Sequence, residues 1–367
     1  MKKILLVVLS LCLFATMVSA QTFIGAREAG MGGCGVSSAF GLTSVAYNPA
    51  GLINSGMGEF TLSLGGASQN IDQIINAVGA ATDPATFLVN NLNTNLEANG
   101  SLFGLLGFCF NKVGLSVILP SMTAALNKPS GTIAGSATIT GRYDVALTLG
   151  TTVPVPGLGG VDLGTNLKYI GFGYGNVNAA GQTLPFTASQ TYGVGSGTGL
   201  DIGARTNIAI PFLSSFAVGI AMRDIGAKAT VAEPKSRNVT FNADSTITEG
   251  AETTGASQDY TFPTTTAIGC SGTVPGMGLM VAADIESISG GTGMVANNET
   301  VTHLGLEMPI IANTLIGRAG LATGQNVSRT TLGAAVNIPF LNVQAAMVID
   351  GKNSKNLSFV VDAGATF

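Results

Sequence analysis

What most constrains this chain is a period of two. Apolar residues fall on alternate positions in segment after segment. Ile139, Tyr143, Val145, Leu147 and Leu149 oppose Thr140, Arg142, Asp144 and Thr148. Val161, Leu163, Leu167 and Tyr169 oppose Asp162, Asn166 and Lys168, and Leu200, Ile202, Ala204 and Ile208 oppose Asp201, Arg205 and Asn207. The pattern returns from Phe216 to Arg223, from Met277 to Glu286, from Leu304 to Met308 and from Leu332 to Ile338. Successive side chains of a strand point to opposite faces, so each set shares one face of a sheet. In a soluble sandwich or solenoid the apolar face would be the core. In a membrane barrel it faces lipid and the charged face lines the lumen.

Composition and turn spacing favour the barrel. The chain is 46% hydrophobic and only 10% charged, yet no stretch after residue 20 is long enough to cross a membrane as a helix. Each strand of a barrel needs only one greasy face, which is how a hydrophobic chain can lack a spanning helix. Six short connections read as hairpins: Asn111-Lys112, 155–160, 211–214, Pro275-Gly276, 310–313 and 339–341. The opposite connections, 69–100, 121–137, 174–197, 226–262, 288–300, 323–329 and 351–355, are mostly longer. With a first strand near 59–68 and a last strand at the end, the expectation is an all-β fold, a transmembrane antiparallel β-barrel of about 14 strands.

The two ends agree. Lys2 and Lys3, an apolar run from Ile4 to Val18 and the small residues Ser19-Ala20 read as a signal peptide over 1–20, too short for an anchor. At the other end Leu357, Phe359, Val361, Ala363, Ala365 and Phe367 share a face. Export followed by insertion in the outer membrane of a diderm bacterium is the expected localisation. The barrel then occupies 59–367, and outer-membrane lipid is its first partner.

Two segments break the alternation. Residues 21–58 are rich in Gly, Ala and Ser and precede the first strand. Residues 70–99 carry apolar residues at helical spacing, read as short external amphipathic helices. Ile71, Ile74, Ile75, Val78, Phe87, Leu88 and Leu92 form an apolar stripe there that either packs on the barrel mouth or receives a hydrophobic ligand. The polar stretch 226–262 reads as an irregular external loop.

Chemistry is sparse. Gly30-Met31-Gly32-Gly33-Cys34-Gly35 formally matches a dinucleotide fingerprint, but no strand precedes it and no βαβ unit follows. The single histidine, His303, lies on the polar face of a strand with no nucleophile elbow anywhere. Cys34, Cys109 and Cys270 are too widely spaced for a metal or redox motif. No catalytic site, metal or cofactor is expected, and a net charge of −4 without basic clusters disfavours nucleic acid.

The run Gly25-Ala26-Arg27-Glu28-Ala29-Gly30-Met31-Gly32-Gly33, followed by Tyr47-Asn48-Pro49-Ala50-Gly51-Leu52, resembles the start of mature chains in the FadL-type outer-membrane transport superfamily, which includes PorV-like proteins and TraF-like conjugation-associated barrels. The resemblance covers most of the chain in architecture and about 30 residues in motif. It implies that 21–58 form a hatch in the lumen, framed by Gly30, Gly32 and Gly33 and by Asn48, Pro49 and Ala50. It also implies that the terminal Phe367 is read by the barrel-assembly machinery. No motif here matches the family's fatty-acid pocket, and the chain has no Trp.

The hatch has a physical reading of its own. Glycines permit positive φ and close backbone approach, and Pro49 biases Asn48 to extended conformations. Arg142, Asp144, Lys168, Asp201, Arg205, Arg223, Asp284, Glu286, Glu307 and Arg318 are expected to line the lumen, either as hatch partners or as solvated residues. Two functions stay open. One is a channel or transporter for hydrophobic small molecules such as long-chain fatty acids. The other is a PorV-like accessory barrel that binds proteins of a secretion or conjugation system.

Overall fold

The computed structural model describes residues 23–70, 95–131, 135–157, 159–180, 185–244, 246–312, 314–352 and 356–367. The expected signal peptide and all seven residues of the apolar stripe lie outside them.

The sheet is one antiparallel ladder closed on itself. Its strands are β1 (Gly58–Gln69), β2 (Leu96–Phe110), β3 (Val113–Lys128), β4 (Gly135–Val153), β5 (Val161–Ala180), β6 (Phe186–Asn207), β7 (Ser215–Val231), β8 (Lys235–Phe241), β9 (Ile247–Glu249), β10 (Thr253–Thr254), β11 (Gln258–Thr261), β12 (Thr264–Thr273), β13 (Met280–Ser289), β14 (Glu299–Ile311), β15 (Leu315–Gly324), β16 (Ser328–Ile338), β17 (Leu341–Asp350) and β18 (Leu357–Thr366). Neighbours pair in sequence from β1 to β7, then β7 with β12, and on to β18. Strand β18 pairs back on β1, from Glu59 opposite Thr366 to Ser68 opposite Leu357. The result is a closed 14-strand barrel, and closure removes the sheet edges that would otherwise need capping.

Turn chemistry sets the short end. Asn111 and Lys112 both have positive φ, 45° and 71°, the twist a two-residue hairpin requires. At the long end the strands run further than the sequence suggested. The segments 121–137 and 174–197 are mostly strand, and β2 takes over at Leu96 inside the supposed helical insert. The stretch 226–262 is also built rather than irregular. Strand β8 pairs with the upper half of β6, β9 and β10 pair with β8, and β11 pairs with β7. Its Thr and Ser residues pair across the ladder, as Ser236 does with Thr253. Short strands dominated by polar residues lack the alternation by which strands are recognised.

Sidedness is inverted relative to a soluble protein. Leu147, Leu167, Tyr169, Leu304, Leu306, Leu332 and Val361 are exposed, while Asp144, Lys168, Asp201, Asp284, His303 and Asp362 are buried. An uninterrupted exposed apolar band around a closed sheet is the surface of a membrane-spanning barrel. No helix among the described residues is long and apolar enough to cross a membrane. Inserting a charge into the band tests this. Leu304, midway along β14, is 48% exposed. Leu304→Arg should cost about 2–4 kcal/mol, read as a lower denaturant midpoint for loss of the folded, heat-modifiable gel band in lipid.

Candidate functional site

The lumen is occupied by residues 23–57. A short helix, α1 (Ala26–Gly30), packs on β15–β18. A 3₁₀ turn at Gly41–Ala46 lies on β1–β3, and a second at Pro49–Asn54 lies on β4–β6. Between them the chain crosses to β7 and β12–β14. Strand glycines make this possible. A Cβ on Gly164 would strike the Pro49–Ala50 peptide, one on Gly219 the Val36 carbonyl, and those on Gly305 and Gly320 the Met31–Gly32 backbone. Gly32 and Gly33 have φ of 72° and 93°, which lets the chain turn sharply after α1.

Strand side chains satisfy the segment's backbone almost all the way round. Asp362 accepts the Ala26 N–H at 2.5 Å, and Ser63 the Gly25 N–H. Thr331 donates to the Gly30 carbonyl and accepts from Gly32 N–H. His303 Nδ1 is 2.6 Å from the Gly32 carbonyl oxygen, so that nitrogen carries the proton. One Asp284 oxygen accepts both the Gly35 and Val36 N–H groups, at 2.7 and 2.8 Å. Arg223 donates to the Ala46 carbonyl, Asn166 to that of Val45, and Glu59 accepts from Leu42 N–H. Asn48, the residue before Pro49, uses all its groups. Its amide donates to Val36 and Ala204 carbonyls and its oxygen caps the second 3₁₀ turn at Ala50 N–H. Pro49 and Ala50 are buried beside Gly164.

The charges gather in three places. Arg27 of α1 makes a two-pronged contact with Glu307 at 2.8 and 3.0 Å, and Arg318 reaches the same carboxylate at 2.7 Å. Arg223 pairs with Glu286 at 2.6 Å, with His303 3.7 Å from that carboxylate's second oxygen. The third cluster joins four strands. Arg142 grips Asp144 and Asp224, and Lys168 lies 2.7 Å from Asp201 and also pairs with Asp224. Arg205 sits opposite Asp162 in the β5–β6 ladder, away from all three.

Above the segment is a cavity of about 400 Å³. Phe23, Ile24, Val45 and Tyr47 form its lower side, and Phe262, Pro263 and 294–297 its upper. The third charge cluster lies on its wall beside Ile118, Pro120 and Phe172. Pro120 sits where β3 carries one more residue than either neighbour, a bulge that a residue without an N–H tolerates. Phe172, Tyr174, Tyr260 and Phe262 form an aromatic group, with ring centroids 4.9 Å apart for Phe172–Tyr260 and 5.5 Å for Phe172–Phe262. The Arg142 guanidinium lies 4.5 Å from the Phe262 ring centre.

No known protein family's sequence pattern matches the chain, and no curated protein does. Solved structures do. The toluene transporter TodX of P. putida superposes with a TM-score of 0.64 at 12% identity, covering 95% of this chain and 99% of that one. A FadL homologue of Pseudomonas aeruginosa gives 0.59 at 12% identity, covering 96% and 100%, and the monoaromatic hydrocarbon channel CymD 0.57 at 13%, covering 95% and 99%. The chain has the FadL-type barrel fold.

In this FadL-type barrel the residues absent from the sequence-derived set include Asp224, Phe172, Phe262, Asn166, Thr331, Asp362, Ser63 and Glu59. Asp224 was hidden by two bulges. Strand β7 carries one extra residue against β6 at each of two steps, so the alternation resumes with the same parity and conceals the inserted residues. Asp224 itself has φ of 58°. Asn166 and Thr331 had a signal, since both occupy the polar face of an alternating strand.

Glu28 gives the segment a pH dependence. Its carboxyl is fully buried on α1, and burial pushes its pKa up to about 7. Arg27, at 3.6 Å, and Arg318 oppose the rise, Asp362 adds to it, and Thr43 donates a hydrogen bond. An undocked Glu28 would titrate near 4.5. A raised carboxyl pKa favours the docked state fully below the undocked value, and the advantage is lost as pH rises towards 7. We expect docking to weaken by about 3 kcal/mol across that window, seen as lower amide protection over 26–36 after normalisation to the intrinsic exchange rate at each pH, with this loss reduced in Glu28→Gln.

Proposed function

We propose that this protein is an outer-membrane channel for hydrophobic small molecules, with residues 21–58 as its hatch. The observation that carries this is the cavity. It lies inside a membrane barrel, is bounded by apolar and aromatic side chains from the lumen segment below and the long loops above, and is of the size that small ligands occupy. The named activities of the structural neighbours, toluene transport and monoaromatic hydrocarbon passage, are of the same kind. Long-chain fatty acids are the charged members of this class of cargo. In this scheme the stripe Ile71, Ile74, Ile75, Val78, Phe87, Leu88 and Leu92 captures ligand outside, the cavity holds it, and withdrawal of the hatch releases it. Phe367 serves a separate step. Exposed at the barrel rim and stacked on Phe108, it is available to assembly machinery as the last strand closes.

The accessory-barrel alternative draws support from the short-turn end, where Phe212, Met277 and Phe340 are strongly exposed. A protein partner from a secretion system could cover them. Two measurements separate the readings. Deleting residues 21–57 should raise single-channel conductance in planar bilayers, because the lumen then loses its occupant. Replacing Phe172 and Phe262 together by Ala should weaken binding of a fluorescent apolar probe by at least about tenfold while leaving folded gel mobility intact. Unchanged conductance and no probe binding, with tight capture of a periplasmic protein, would favour the accessory role.

A further inference from the structure

The cavity's polar wall is closed on itself. Three cations line it, Arg142, Lys168 and Arg223, and each already holds carboxylates of the protein. The anions are equally engaged. Asp144 takes Arg142 on both oxygens. Asp224 takes Arg142 on both oxygens and Lys168 on one. Asp201 takes Lys168 and the Asp224 N–H on one oxygen and the Asn166 amide on the other. The three lining cations face three lining carboxylates, Asp144, Asp201 and Asp224, and Glu286 stands behind Arg223. No buried polar atom of Arg142, Asp144, Lys168, Asp201 or Asp224 is left without a partner, whereas Arg223, held through Nη2 by Glu286 and through Nη1 by the Ala46 carbonyl, leaves its Nε without one. The Phe262 ring covers one face of Arg142.

We propose that this cavity selects uncharged ligands and rejects alkyl carboxylates, because each cation on its wall among the described residues is already paired with carboxylates of the protein. This rests on the channel reading above and narrows it. A carboxylate entering the cavity gives up its hydration and finds only cations shared among protein carboxylates, so it stays under-compensated beside like charges. An ammonium must likewise be desolvated, and each oxygen of Asp144, Asp201 and Asp224 already accepts a hydrogen bond. A hydroxyl or an aromatic ring brings no net charge to desolvate and keeps the apolar contacts with Phe172 and Ile118. Discrimination here comes from what the site refuses as much as from what it attracts.

The test uses the full-length protein in detergent at neutral pH, with three probes of one chain length: decanol, decanoate and decylammonium. Each displaces a fluorescent apolar reporter at fixed micelle concentration. Decanol should bind best, and decanoate at least about tenfold more weakly. Asp224→Asn keeps the shape and the left-handed backbone but releases part of the charge on Arg142 and Lys168, so it should bring decanoate closer to decanol by about tenfold. Asp144→Asn, on a regular strand, should act in the same direction and serves if the first variant does not assemble. If neither assembles, the wild-type ratio decides. Decanoate or decylammonium binding as tightly as decanol in the wild type overturns the selectivity and leaves the channel intact. Variants that shift all three probes equally also overturn it. No binding by any probe brings down the channel reading and this inference together.

Discussion

The rest of the structure depends on how the lumen segment and the barrel wall satisfy one another. Strand side chains such as Asp284, Asp362 and Thr331 point into a space closed to bulk water, where an unpaired polar group costs several kcal/mol. The segment answers with backbone. Its N–H groups at Ala26, Gly32, Gly35 and Val36 and its carbonyls at Gly30, Gly32, Val45 and Ala46 meet the wall residue by residue. A regular helix or sheet would have kept these groups for itself. The short helix and two 3₁₀ turns leave them free for the wall, and small residues on both sides allow the approach.

This division explains what was legible in the sequence. Alternation is enforced by lipid on one side and by the lumen on the other, so it survives in nearly every strand. The barrel, its strand number and its short turns all followed from it, and the polar faces carry Arg142, Lys168, Asp201 and Asp284. The partners of those charges did not follow, because pairing across the lumen joins residues hundreds of positions apart, as with Arg27 and Glu307. Neither did Asp224, whose place is fixed by paired bulges that cancel in the pattern. The aromatic group was scattered between β5 and the 258–262 region, and no local spacing connects Phe172 to Phe262. The β8–β11 extension does not stand out because its strands are short and its apolar residues, such as Val239, Phe241 and Tyr260, are scattered among polar ones.

The three charge clusters divide the work. Those at Glu307 and Glu286 lie where the segment is bound and hold it in place. The cluster at Asp224 holds β4, β5, β6 and β7 together around an irregularity in the wall, next to open space. Asn166 spans both roles, donating to Asp201 in the cavity wall and to the Val45 carbonyl below it. Arg223 also does both, lining the cavity and donating to the Ala46 carbonyl, so occupation of the cavity and the grip on the segment share two hydrogen-bonding residues.

The registry of these contacts also has a bearing on the order of events during biogenesis. Helix α1 and the glycines after it leave the ribosome before any strand of the barrel. Their partners come last: Arg27 waits for a residue 280 positions downstream, and Ala26 for one 336 positions downstream. Until the last strands are made the segment lacks most of its lumen partners, and the opening that will receive it is bounded by β1 and β18, the first and last strands of the ring. A segment tied to both sides of the seam is most easily set in place while the seam is still open. Closing the ring and seating its occupant are then one event.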